Sequence, residues 1–207
     1  MTREPEPPTA TVGVTEHGSA AALVTLASDG ELLDRRRLEL IEHGLPTHPH
    51  HHQGSWAVGR YLSTPGARPL PLADAVALVA RVRASAARGA RAGLEALAAA
   101  VSLPIVRIAI RACPALPPTT EERIADHRAQ TVADSVMYRE ALASAAAARG
   151  WSVLWYDREQ VRRDAAAVLG LDDVDAFLLA MGRSIGPPWQ ARHKLAAAAA
   201  LAAGRQR

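Results

Sequence analysis

Cysteine is nearly missing from this chain: Cys113 is alone among 207 residues. That excludes an intrachain disulfide framework and a cysteine-rich zinc site, and it suits a reducing compartment. Aromatic residues are also scarce, at 4% against 49% hydrophobic residues overall. The core must therefore be packed from small side chains, alanine above all, which favours a helix-rich fold. Lysine is reduced to Lys194, and arginine supplies every other basic residue. Arginine does not titrate near neutrality, so the isoelectric point is high although the net charge is only +3. So small an excess does not by itself argue for nucleic acid. No stretch has the length and apolarity of a membrane span. The alanine run Leu195–Ala203 is too short, and with Arg205 and Arg207 after it a packed terminal helix is the better reading. Met1–Ala10 is charged and proline-rich, with no apolar signal-peptide stretch. The expectation is a disordered tail over 1–10 and a single cytoplasmic domain over 11–207.

What is present orders itself into alternating elements. Short strands are expected over Thr11–Thr15, Ala20–Ala27 and Glu31–Ile41. Ser28-Asp29-Gly30 reads as a tight hairpin turn, because Asp-Gly tolerates positive φ. Arg35, Arg36 and Arg37 interrupt the alternation of the third strand and mark a solvated sheet edge. Between His43 and Leu70 the prolines and glycines are too dense for a regular element, so 43–70 is expected to be a long loop. A helix follows from Pro71 to about Ala100, then a β-branched strand at Ile105–Ala112. Thr119 and Glu122 have capping-box spacing, which predicts a helix from there to Gly150. Trp151–Tyr156 is a fifth strand, and further helices start near Asp157, near Asp172 or Asp173, and at Trp189.

This order, a hairpin-linked half followed by crossovers, is similar to the ribonuclease H-like fold: an α/β five-stranded mixed sheet flanked by helices, with an extra C-terminal helix. Two stretches sharpen the resemblance toward its Holliday-junction resolvase branch. Val12-Gly13-Val14-Thr15-Glu16 resembles the first-strand Gly-hydrophobic-Asp signature, and Asp172-Asp173-Val174-Asp175 resembles the late acidic pair. The resemblance implies a divalent-metal site built from clustered carboxylates. The chain departs from it at two places. Thr15 stands where the first aspartate belongs, with Glu16 one residue on and hence on the opposite face of the strand. Arg111 stands where the fourth strand should end in glutamate, and a cation there would repel the metals.

The candidate catalytic residues are Glu16, Asp172 and Asp175. Asp172 and Asp175 would share one helical face suited to a hard cation, and would equally serve as helix-capping acids. Glu16 is either a third ligand or an ordinary turn acid. Five of the eight histidines fall within ten positions, and His48, His50, His51 and His52 are candidate metal ligands in an exposed loop. The other reading is polar surface with incidental metal affinity. A divalent metal, whether magnesium, manganese or zinc, is the cofactor these residues would take. Two functions are carried forward: a non-catalytic or diverged relative binding nucleic acid or protein, and a metal-dependent nuclease. Thr15 and Arg111 favour the first. No membrane partner is expected.

Overall fold

Near-continuous runs of apolar and small residues in the first two strands bury both faces of a central sheet. The computed structural model describes residues 7–60 and 70–204. Parts of the expected tail (1–6) and loop (61–69), and the terminal 205–207, lie outside the described residues. The strands are β1 (Ala10–His17), β2 (Ala20–Ala27), β3 (Leu32–Glu39), β4 (Ile105–Arg111) and β5 (Ser152–Tyr156). They form one sheet in the order β3-β2-β1-β4-β5, with β1, β2 and β3 successively antiparallel and β4 and β5 parallel to β1. The hairpin half is as expected. Gly30 takes φ 96° in the β2–β3 turn, and the Asp29 carboxylate accepts from the Glu31 N–H at 3.0 Å.

The helices are α1 (Gly54–Ala57), α2 (Leu72–Ala100), α3 (Thr120–Ala125), α4 (His127–Ala147), α5 (Val161–Leu169), α6 (Asp175–Ile185) and α7 (Ala191–Gly204). α2 and α4 cover one sheet face, where Val12, Val14, Leu23, Ile108 and Ile110 join their buried side chains. α5, α6 and α7 cover the other, against Val24, Leu26, Ala109 and Tyr156. In α7 every residue from Ala196 to Ala203 is buried. So small a helix surface lets its backbone approach β1, and Gly13 makes the crossing feasible: a Cβ there would lie 1.8 Å from the Ala196 carbonyl oxygen.

Three expectations are corrected. The helix expected from Thr119 to Gly150 is two helices. The Thr119–Glu122 capping box starts α3, but Asp126 adopts extended backbone and caps α4 by accepting from Arg128 and Ala129 N–H. The histidine loop is not irregular throughout: Pro49–Gln53 forms a π-helical turn that runs into α1. Arg35 is not merely solvated. β3 is an edge strand, yet the Arg35 guanidinium donates to the carbonyls of Gly186 at 2.8 Å and Pro188 at 2.7 Å, tying down the segment that leads into α7.

Candidate functional site

The C-terminal ends of the parallel strands open into a cleft of about 700 Å³. Strand alternation decides what faces it. Even-numbered residues of β1 point to the α2–α4 layer, and odd-numbered ones point to α7. Gly13 pairs with Ala109, so two residues further along Thr15 and Arg111 stand at the same sheet end on the α7 side. Glu16 points to the other side and reaches the cleft only at its margin. There its carboxylate accepts from Arg139 of α4, and the two side chains are 7% and 5% exposed. Arg139 also donates to the Ala112 carbonyl at 3.0 Å, so one buried guanidinium joins the ends of β1 and β4. Tyr156 lies beside them, its hydroxyl donating to the Val14 carbonyl at 2.8 Å, and burial pushes its phenol pKa up.

Two further elements complete the wall. After β5, Asp157 accepts from the N–H groups of Glu159 and Gln160, a turn that sets Arg158 and Arg162 at the cleft. α7 opens on its rim with Gln190 and Arg192. Its first turn carries no acid, and the Gln190 N–H donates to His193 Nδ1 at 2.9 Å. Trp189 stacks on the His193 ring and donates to the Leu178 carbonyl, which fixes this entry.

Charge is uneven here. Arg162 is held by two hydrogen bonds to Asp175, and Glu16 is held by Arg139. Arg192 donates to the Gln190 side chain. Arg111 and Arg158 have no side-chain hydrogen bond or ion pair among the described residues. The cleft therefore presents two guanidinium groups in no ion pair, with the exposed Glu159 as the one unpaired acid in the lining.

Two Thermus thermophilus RuvC structures match this chain. One, in complex with a Holliday junction substrate, aligns over 94% of this chain and 91% of its own at 15% identity and TM-score 0.46. The second aligns over 94% and 92% at 14% identity and TM-score 0.43. No family model and no curated protein matches. The fold itself is the expected five-stranded mixed sheet flanked by helices.

In this sheet the three predicted acids do not share a site. Of Glu16, Asp172 and Asp175, only Glu16 lines the cleft. The shared helical face is corrected as well: α6 begins at Asp175, and Asp172 is exposed ahead of it, where the neighbouring Asp173 carboxylate accepts the Asp175 N–H. A pair of divalent cations needs several convergent, uncommitted carboxylates. With Glu16 and Asp175 each bound to an arginine, the exposed Glu159 as the one uncommitted carboxylate of the lining, and Arg111 facing the cleft, the residues present do not fit that group.

The predicted histidines sit on the other side of the β1–β2 turn, with His48 beside Gly18. A ladder on α4 holds them, formed by Gln130, Asp134 and Tyr138 at four-residue spacing. Asp134 accepts from the N–H groups of His50 and His51 and bonds His50 Nδ1 at 2.8 Å. Gln130 accepts from Ser55 and Arg60, and Tyr138 donates to the Thr47 carbonyl. The exposed-loop expectation is thus corrected for His50, which is 0% exposed; His48 and His51 are half-buried and His52 is exposed. Burial and the neighbouring imidazoles of His52, His48 and His127 lower the His51 pKa, against a smaller opposing pull from Asp134. No group of three or more His, Cys, Asp or Glu among the described residues is arranged to hold a metal ion.

Sequence reasoning missed Arg158, Arg192, Arg139 and Asp134. Of the three arginines only Arg192 left a readable trace: with Lys194 it puts cations in a first helical turn, the reverse of the usual preference.

Proposed function

We propose that this chain is a non-catalytic ribonuclease H-like protein that binds nucleic acid through the arginine-lined cleft at the ends of β1 and β4. The observation that carries this reading is an excess of guanidinium groups where converging carboxylates were expected: Arg111, Arg158 and Arg192 line one cavity with two acids, of which Glu16 is neutralised by Arg139 and Glu159 is exposed. Arginine in such a position contacts phosphate oxygens in planar, two-pronged geometry and reads no base sequence. A single cysteine and the lack, among the described residues, of any helix long and apolar enough to cross a membrane agree with a cytoplasmic place of action.

Fluorescence anisotropy of labelled duplex and branched DNA tests the reading. With about three phosphate contacts, log affinity should fall against log salt with a slope of roughly −3, a loss of roughly 60-fold between 50 and 200 mM salt. Arg111→Ala and Arg192→Ala should each make the slope shallower by about one. The purified protein should leave the DNA intact with magnesium or manganese. Metal-dependent cleavage that disappears in Glu16→Gln would replace this reading with the nuclease one.

A further inference from the structure

We infer that the cleft is built for a phosphomonoester, the terminal phosphate of a strand or of a nucleotide, in preference to an internal phosphodiester. The inference rests on the nucleic-acid reading of the same cleft and names the group that the cleft selects.

The first argument is placement. The arginines come from three separate elements: Arg111 from the end of β4, Arg158 from the turn after β5, and Arg192 from the first turn of α7. They surround one concave space whose wall includes Thr15 and the buried Tyr156. An internal phosphodiester needs a groove open at both ends, with cations laid along it. Cations drawn from three elements onto one half-open concavity, rather than laid in a row along a groove, match a compact anion that ends there.

Charge is the second argument. Arg111 and Arg158 form no ion pair among the described residues, and with Arg192 they outweigh the one unpaired acid of the lining, Glu159. A phosphodiester brings one negative charge, whereas a phosphomonoester approaches two near neutral pH. α7, fourteen residues long, also starts at this wall with Arg192 and Lys194 in its first turn and no acid there. Its positive end is left uncompensated, and an anion in the cleft would offset that.

The third argument is a way out for the rest of the ligand. A smaller cavity of about 210 Å³ shares His17, Gln190 and Arg192 with the cleft and extends over the β1–β2 hairpin to Arg37. A strand ending in the cleft can leave along this arm. Neither cavity presents an exposed Trp, Tyr or Phe ring: Tyr156 is buried with its hydroxyl engaged by Val14, and His17 is the exposed ring in the lining of both. Guanidinium groups for a phosphate therefore outnumber the rings open to a base in this lining.

The test uses the full chain and oligonucleotides labelled internally, bearing hydroxyl at both ends, phosphate at the 5′ end, or phosphate at the 3′ end. Titration calorimetry with inorganic phosphate and adenosine monophosphate runs alongside. One phosphorylated strand should bind roughly tenfold or more tightly than the hydroxyl strand. That advantage should vanish in Arg158→Ala, an exposed position whose loss spares the core, and in Arg111→Ala. It should persist in Arg81→Ala, on α2 at the opposite sheet face. Equal, salt-sensitive binding of all three strands would overturn the inference and leave the nucleic-acid reading standing. Binding of inorganic phosphate or the mononucleotide without any strand binding would support the phosphomonoester site and overturn the nucleic-acid reading. If neither strands nor small phosphates bind, both fail.

Discussion

His50 Nδ1 lies 2.8 Å from an Asp134 oxygen that also accepts the His50 backbone N–H at 3.0 Å. The second Asp134 oxygen takes the N–H of His51 at 3.1 Å. One buried carboxylate thereby satisfies three donors of the π-helical turn and joins residues 84 positions apart. Asp134→Ala should leave these donors unpaired in a dry setting and cost about 3 kcal/mol or more. Urea denaturation measures it. Loss below about 1 kcal/mol would show that the turn is held by other contacts.

The pH response follows from two histidines whose pKa values are lowered from 6.5. His51 is lowered chiefly by burial and by neighbouring imidazoles, and His193 chiefly by burial and then by Arg35 and Arg192. A group with a depressed folded pKa takes up its proton first in the unfolded chain. Stability is therefore unaffected well above pH 6.5, falls as pH drops through the ordinary histidine value, and stops falling below the lowered folded values. Protonating His193 Nδ1 would also break the bond from the Gln190 N–H that caps α7. Denaturation midpoints at pH 8 and pH 5 should differ in this direction, and His51→Gln should reduce the difference. A midpoint that rises toward pH 5 contradicts the assignment.

Gly13→Ala tests how α7 reaches the sheet. Its Cβ would stand 1.8 Å from the Ala196 carbonyl oxygen and 2.8 Å from the Ala200 nitrogen, both backbone atoms that cannot rotate aside. The helix must shift, at a cost of about 3 kcal/mol or more. Thermal unfolding should register it. A neutral substitution would mean that α7 docks less closely than described.

These residues also show what could be read without a structure. The hairpin was legible because Asp29-Gly30 states a local turn, and period-two alternation placed Glu16 on the face opposite Thr15, where Arg139 meets it. The close approach at Gly13 was not legible, because the atoms it avoids are about 183 residues away in sequence and the requirement is tertiary. The ordered turn at Pro49–Gln53 was missed for a related reason: proline density signals the loss of local ladders, whereas the anchor is supplied by α4. A signal existed in Gln130, Asp134 and Tyr138, three polar groups at four-residue spacing on an alanine-rich helix, all turned inward. For the site, the presence of Arg111 was readable, but its convergence with Arg158 and Arg192 depends on three crossovers that no spacing reports.

Arg35→Ala should loosen the approach to α7. The guanidinium donates to Gly186 and Pro188 carbonyls from the sheet edge, and hydrogen bonds from a charged donor are each worth about 1.5–3 kcal/mol where they are part-buried, less where solvent competes. A loss of about 1–2 kcal/mol is expected, with faster amide exchange at residues 186–192. Arg35→Lys should recover little, since one ammonium cannot span the same carbonyls. Unchanged exchange in Arg35→Ala would show that Trp189 alone fixes this entry.

Arg111→Glu asks whether an acid at the end of β4 is enough to rebuild a metal site. On charge alone the substitution swaps a repelling cation for an oxygen ligand and should favour magnesium. Geometry argues otherwise. Magnesium demands near-octahedral coordination and usually two or more carboxylates in addition to water when no phosphate assists. Of the acids that line the cleft, Glu16 is engaged by Arg139 and Glu159 is exposed on the turn after β5, while neither Asp172 nor Asp175 lines it. Arg158 still faces the new carboxylate's side of the cavity and competes for it as a counter-ion. Calorimetry of Arg111→Glu with magnesium should therefore show no saturable heat, while the double variant Arg111→Glu with Arg139→Gln, which frees Glu16, should show weak binding. Tight magnesium binding by the single variant would mean that the acids converge after all, and would reopen the nuclease reading.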